Sequence, residues 1–530
     1  MKRLYAAIAA LMSLMLASCI SLGGDTSGSS GSGAGSGSGK PADLTIVAAT
    51  ELKDLEGLVD QAAKDLGFSI DMQFPGGTLD NSQTLKRGDF DGKVDATWFA
   101  TNRYVNLIGA TDKLDGETKI ATSPIAFGVW EDSAKRLGWD AKQPTWAEFA
   151  AAAEAGEFSF GMTNPQASNS GFSALVAVAT ALADTGDAIA PADLERVGPR
   201  LEQLFQAQTM VSGSSGWLAE AFADDPERAD AIVNYESTLH QMRQQGQPIE
   251  VVVPADGVIS ADYPLSALAQ PANTDARERV EKLANWLLEH QPDIADTFRR
   301  PVTQVDNLPA EIADQQVIEL PFPANESVVD ELLYAYDNSY RQPGTTTFVL
   351  DTSGSMEGQR IASLKDIMHS LIDGSASTLT GDVSLRDREN VTLQSFDSRP
   401  NDPVTARFSH EDPAAAAELT KYVDGLSASG STAMYQTLLE ALRGTDPAGG
   451  IPSIVLLSDG QDTVGPRFSK FKEEYEQLPA AQRSVPVFVI LYGDASESEM
   501  RELAELTGGE VFDALGGDLA AAFKEIRGFQ

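Results

Sequence analysis

Thr346-Thr347-Phe348-Val349-Leu350-Asp351-Thr352-Ser353-Gly354-Ser355 runs from a short apolar segment straight into a loop of carboxylate and hydroxyl side chains. The first five residues read as a buried strand. Beyond Ser355, the apolar residues Ile361, Leu364, Ile367, Met368, Leu371 and Ile372 recur at helical spacing. The polar loop therefore sits at the C-terminal end of a strand and ahead of a helix, where open parallel sheets hold their ligands. Further strands are expected at 391–396, 454–457 and 485–491, with helical stretches at 414–423 and 434–442 between them. This alternation predicts a doubly wound, Rossmann-like α/β sheet with helices on both faces, within a domain spanning 326–530.

The pattern Asp351-x-Ser353-x-Ser355 resembles the metal-ion-dependent adhesion site (MIDAS) of von Willebrand factor type A (VWA) domains. The resemblance extends to Gly430-Ser431-Thr432-Ala433, ahead of a helix, and to Leu456-Leu457-Ser458-Asp459-Gly460, after a buried strand. All five positions of the family's pattern are filled, in order. The resemblance implies that Ser353, Ser355 and Thr432 touch a metal directly, while Asp351 and Asp459 hold its waters and balance its charge. Hydroxyl and carboxylate oxygens are hard donors, so Mg2+ is the expected ion, with Mn2+ or Ca2+ as alternatives. An acidic side chain of a protein partner could then complete the shell. The competing reading of the same residues is an ion that only stiffens three loops.

Upstream, residues 44–49 read as a buried strand, and Leu55, Leu58, Val59, Ala62, Ala63 and Leu66 form one apolar helix face closed by Gly67. Residues 68–74 open another strand, so the unit predicts a parallel sheet, and similar alternation recurs to about residue 325. This part resembles the bacterial extracellular solute-binding proteins, the two-lobed receptors of ABC importers. The resemblance rests on Asp95-Ala96 with Trp98, Thr122-Ser123-Pro124, Thr163-Asn164-Pro165 with Ser168-Asn169-Ser170-Gly171, Asn234-Tyr235-Glu236-Ser237 and Asp262-Tyr263-Pro264-Leu265. It implies a two-lobed, periplasmic-binding-protein-like domain over 41–325 with a solute cleft. Ser168 or Ser170 is expected to cap a helix beginning near Phe172, turning backbone N–H groups and Asn169 toward a small polar or anionic solute. Trp98 and Tyr235 are candidate platforms lining the cleft. The competing reading makes the serines a plain cap and the two aromatics core.

Lys2 and Arg3 precede an apolar run at 4–16, long enough for a signal-peptide core and too short to span a bilayer. Leu16-Ala17-Ser18-Cys19 resembles the lipobox of bacterial lipoproteins, which implies a signal peptide over 1–18 and lipidation of Cys19 (acyl chains such as palmitate). Residues 19–40 read as the lipidated cysteine and a Gly/Ser-rich flexible tether, with a span of roughly 25 Å for its nineteen Ser/Gly-rich residues. The expected location is the extracytoplasmic face of the bacterial cell membrane. Cys19 is the single cysteine among 530 residues, which excludes a disulfide framework and a thiolate zinc site. A formal net charge of −39 argues against nucleic acid as a partner.

An enzyme is not expected. His240, His290, His369 and His410 show no metal-ligand spacing, each reads as exposed or satisfied, and no GxSxG, Walker A or HExxH motif occurs. Two binding functions remain: an anchored interaction protein acting through the adhesion site, with the upstream domain as sensor or second recognition module, or the substrate-binding receptor of an ABC importer with an accessory VWA domain.

Overall fold

The computed structural model describes residues 42–513, apart from 314–315, 379–380, 447–448, 460–461 and 492–496, and in addition 522–523 and 526–527. The expected signal segment, Cys19, the tether and Gly460 lie outside the described residues.

Residues 42–301 carry strands β1 (Leu44–Ala48), β2 (Ile70–Gln73), β3 (Ala96–Trp98), β4 (Leu114–Lys119), β5 (Ala121–Trp130), β6 (Phe160–Thr163), β7 (Gln208–Ser212), β8 (Ala231–Tyr235), β9 (Ile249–Val252), β10 (Ser260–Ala261), β11 (Pro264–Leu268) and β12 (Arg300–Pro301). They build the two lobes as two sheets, one ordered β2-β1-β3-β11-β4 and one ordered β10-β5-β8-β6-β7, with β9 and β12 also paired to β5. As the strand–helix–strand reading requires, β1 pairs in parallel with β2 and β3. Gly67 ends the intervening helix at a left-handed φ of 75°. Both sheets are nonetheless mixed, because β11 returns antiparallel to β3 and β5 pairs antiparallel with β8.

The chain passes between the lobes at Ile120, at Asp262-Tyr263 and just ahead of β12. These crossings are bonded together: the Ala100 carbonyl accepts the N–H groups of Asp262 and Tyr263 at 2.9 and 3.0 Å, and the Tyr263 carbonyl accepts that of Ile120 at 3.3 Å. Tyr263 is held at a φ of 40°, a costly conformation for a bulky residue. The lobes are closed on one another. Tyr104 of the first packs edge-on against Phe172 of the second at 5.6 Å, and Gln241 Nε2 donates to Asp54 Oδ2 at 2.8 Å. At Gly77 a Cβ would lie 2.3 Å from the Ala167 carbonyl oxygen, an approach that only glycine permits.

Downstream run β13 (Gly344–Asp351), the short pair β14 (Ser377–Thr378) and β15 (Gly381–Asp382), β16 (Asn390–Phe396), β17 (Val404–Arg407), β18 (Ile451–Ser458), β19 (Val487–Leu491) and β20 (Val511–Asp513). The main sheet is ordered β17-β16-β13-β18-β19-β20 and is parallel except for the edge strand β17. Alternate side chains of β13 feed two cores. Phe348 and Leu350 pack with Leu364, Met368 and Leu371, whereas Val349 packs with Met434, Leu438 and Leu442. Helices therefore cover both faces, as a doubly wound sheet requires.

One boundary differs from the sequence reading. The helix Glu326–Ala335 and the π-helical turn Tyr336–Tyr340 place Val328, Val329, Leu332, Tyr336 and Tyr340 in the core of the first region, so the second sheet begins only at Gly344. The two regions then meet across a buried polar seam. Asn164 Nδ2 donates to the Arg527 carbonyl at 2.8 Å, and Arg388 Nε to the Asn338 carbonyl at 2.8 Å. The Arg527 guanidinium pairs at 2.9 Å with buried Glu389, which also accepts from Thr346 at 2.6 Å. Residues 42–530 form one compact unit. No described helix is long and apolar enough to cross a membrane.

Candidate metal centre and solute cleft

Strand β13 lies where the sheet order reverses, with β16 on one side and β18 on the other, so the loops after β13 and β18 leave a shared crest. There the structure joins four of the five expected metal-site residues through hydrogen bonds. Asp351, fully buried, accepts from the Ser353 N–H at 2.8 Å and from the Ser458 hydroxyl at 2.6 Å. Ser353 and Ser355 hydroxyls lie 3.0 Å apart, and Ser355 donates to Asp459 Oδ1 at 2.9 Å. Thr432 sits on a second loop docked against the first: Gly354 N–H donates to the Gly430 carbonyl at 3.1 Å and Ser429 N–H to the Thr352 carbonyl at 2.8 Å. The Thr432 N–H is itself fixed by the Thr463 hydroxyl at 2.8 Å.

Burial raises the Asp351 carboxyl above its ordinary value against the pull of the Ser353 and Ser458 hydrogen bonds, and the neighbouring Asp459 carboxylate adds to the rise. A cation would lower it. One is already at hand: Arg360, at the start of the helix Gln359–Asp373, pairs with Asp459 Oδ2 and donates to the Ser355 carbonyl at 3.2 Å. Nothing in the spacing of the motif marks Arg360 or Ser458. The donor set fits a hard dication, with hydroxyls 3.0 Å apart flanked by two carboxylates and no nitrogen or sulfur ligand. Among the described residues no group of three or more His, Cys, Asp or Glu side chains offers an alternative cage.

In the first region the expected cleft residues take different positions. The helix begins at Asn169, three residues earlier than expected, with Ser168 at its N-cap, but the Ser168 side chain makes no capping bond. Ser168 and Ser170 hydroxyls lie 3.2 Å apart, and Ser170 reaches Thr163 Oγ1 at 2.9 Å and Ser215 Oγ at 2.8 Å. The expectation that these serines cap the helix is thus corrected. The cause is Gly171, where a Cβ would stand 2.1 Å from the Thr163 carbonyl: β6 runs so close to the helix start that the serines face the interior. Trp98 is likewise interior, fully buried with its indole N–H on the Tyr263 carbonyl at 3.1 Å.

Asn169 and Tyr235 are brought together, with Asn169 Nδ2 donating to the Tyr235 hydroxyl at 3.0 Å. Around them gather residues that sequence reasoning missed. The Tyr263 ring lies 6.3 Å from that of Tyr235, and the Arg299 guanidinium stands 5.4 Å over the Tyr263 ring. Arg299 spends two N–H groups on Asp54, at 2.8 and 2.9 Å, and one on the Glu51 carbonyl at 2.7 Å. Four atoms in this cluster are buried without a hydrogen-bond partner: Glu51 Oε1, Asn169 Oδ1, the Tyr263 hydroxyl and the donor Arg299 Nε. Burial raises the Glu51 carboxyl, with the Tyr235 hydroxyl and Arg299 pulling the other way.

Residues 44–299 match the family model described as bacterial extracellular solute-binding protein, and residues 346–512 match that of the von Willebrand factor type A domain. The chain thus joins a solute-binding-protein domain to a VWA domain. Similar solved structures include the periplasmic binding protein AfuA from Actinobacillus pleuropneumoniae, at 12% identity and a TM-score of 0.46, covering 56% of this chain and 98% of that one. A von Willebrand factor type A structure from Catenulispora acidiphila matches at 20% identity and a TM-score of 0.29, over 36% of this chain and 42% of that one. Among curated proteins, inter-alpha-trypsin inhibitor heavy chain H4 of Homo sapiens is 28% identical over 143 residues, 25% of this chain. The match spans only 14% of that relative's length.

Proposed function

We propose that this chain is an extracytoplasmic, lipid-anchored binding protein and not an enzyme. Its VWA domain takes a protein partner through a Mg2+-dependent adhesion site, and its upstream domain senses or recognises a small solute. The observation that carries the reading is the bonded set Asp351, Ser353, Ser355 and Asp459 at the switch point of the sheet. Ser353, Ser355 and Thr432 are the direct oxygen donors, and Asp351 and Asp459 hold waters and offset charge. The ion, when bound, supplies a Lewis-acidic position that an acidic side chain of the partner can fill. Asp351 is pre-oriented by the Ser353 N–H and the Ser458 hydroxyl, and Arg360 must release Asp459 as the ion enters.

The test is calorimetric titration of the full-length chain with Mg2+. Thr432→Ala is expected to weaken binding and Asp351→Ala to abolish it, while Arg360→Ala tightens it several-fold by removing a competing cation. A partner captured through the site should leave with EDTA and return with Mg2+. Indifference to EDTA and to all three substitutions would sink the adhesion-site mechanism.

A second reading, the receptor of an ABC importer with an accessory VWA domain, is favoured by one observation: the lobes are closed around partnerless buried polar atoms. Solute uptake that depends on the chain but not on Asp351 would select it.

A further inference from the structure

We propose that the solute held between the lobes is a positively charged hydrogen-bond donor, an amine or ammonium compound, and not an oxyanion. This rests on the cleft reading above and assigns the chemistry of its ligand. Three of the four partnerless atoms of the cluster are acceptors or can act as acceptors, namely Glu51 Oε1, Asn169 Oδ1 and the Tyr263 hydroxyl; the fourth, the donor Arg299 Nε, belongs to a guanidinium already paired with Asp54. All three come from different elements, namely the turn after β1, the start of the helix Asn169–Ala183 and the crossing between β10 and β11. A buried acceptor without a donor is costly, so a native arrangement that keeps three of them together is shaped around something that donates.

The charge points the same way. Arg299 is the cation nearest the cluster, and its charge is already met by the two-pronged pairing with Asp54. Glu51 has no such partner for Oε1. An oxyanion placed beside it would meet an acidic side chain and no free cation. The start of the helix Asn169–Ala183 would attract an anion, but with only about half a unit of charge. Its Gly171 N–H is moreover already spent on Thr163 Oγ1 at 2.8 Å. The rings of Tyr235 and Tyr263 add π faces on which a cation is favoured, as Arg299 over Tyr263 illustrates. The strain at Tyr263, with its φ of 40°, has its use here: it carries the phenol into the space between the lobes.

The experiment uses the full-length protein and five probes, putrescine, choline and arginine against sulfate and molybdate, read by thermal shift and calorimetry. At least one amine is expected to raise Tm, and neither oxyanion. Glu51→Gln should weaken that amine at least tenfold. Tyr263→Phe, which keeps the ring and the fold, should also weaken it while raising the Tm of the solute-free protein, because the partnerless hydroxyl is gone. Stabilisation by sulfate or molybdate and not by amines overturns the charge assignment and leaves the cleft reading standing. No shift with any of the five overturns both. Amine binding that both substitutions leave unchanged places the solute elsewhere and overturns the assignment.

Discussion

His240 lies in the helix Glu236–Gln244, buried, with neither ring nitrogen hydrogen-bonded and its ring 5.4 Å from that of Phe298. The expectation of an exposed or satisfied histidine is corrected here, since a lone His carries no sequence signal for burial. Burial lowers its pKa to about 4; Glu311 opposes the shift, and Arg243 and Arg300 reinforce it. In the unfolded chain the ring titrates near 6.5, so between these values the unfolded state binds the extra proton and stability rises with pH. Acidification from pH 6.5 to 4 should therefore remove up to about 3 kcal/mol from this domain. Denaturant melts across that range are expected to show the loss, and His240→Leu should flatten it; an unchanged slope would mean that other groups govern the acid limb. Chemistry at single residues was legible in the sequence only where a motif imposed order. Asp351, Ser353, Ser355, Thr432 and Asp459 follow a pattern, but Arg360 meets Asp459 across 99 positions, and no local spacing announces that.

Strands and helices were legible where one period dominates. The runs at 391–396 and 454–457 fall inside β16 and β18, because Ile454–Leu457 is wholly apolar and Val391, Leu393 and Phe396 give the other run buried anchors, so neither has many other places to go. Pairing direction was less so: β11 reads like any buried strand, and its antiparallel return is set by the crossing at Tyr263. Lobe closure was not legible at all, since it depends on approaches between residues far apart in the sequence, the tightest of them at Gly77. Gly77 has a φ of −70° and would tolerate a side chain by itself, yet a Cβ there stands 2.3 Å from the Ala167 oxygen. Gly77→Ala should therefore hold the lobes apart without unfolding either. Small-angle scattering is expected to show a larger radius of gyration, with solute affinity at least tenfold weaker and the Mg2+ titration unchanged. A closed variant with normal affinity would show that the loops can slide past the added methyl group.

At the scale of the whole molecule, lipidation of the single thiol at the end of a lipobox-like segment, followed by a Gly/Ser-rich stretch, would place both binding domains on one leash. Two or more acyl chains, at roughly 0.8 kcal/mol per buried methylene, would hold such a protein firmly at a membrane. Cys19→Ala should then release it to the medium or periplasm, as fractionation would show; unchanged retention would point to another attachment. The seam between the domains carries a different consequence, one of timing. Asn164 and Arg527 meet although 363 positions separate them, and Arg527 reaches Glu389 across 138 more. Loops this long yield nothing toward their closure until the surfaces they join already exist. Each domain must therefore complete its own sheet first, and their docking comes as the closing step of folding, when Asn164 at last meets the Arg527 carbonyl.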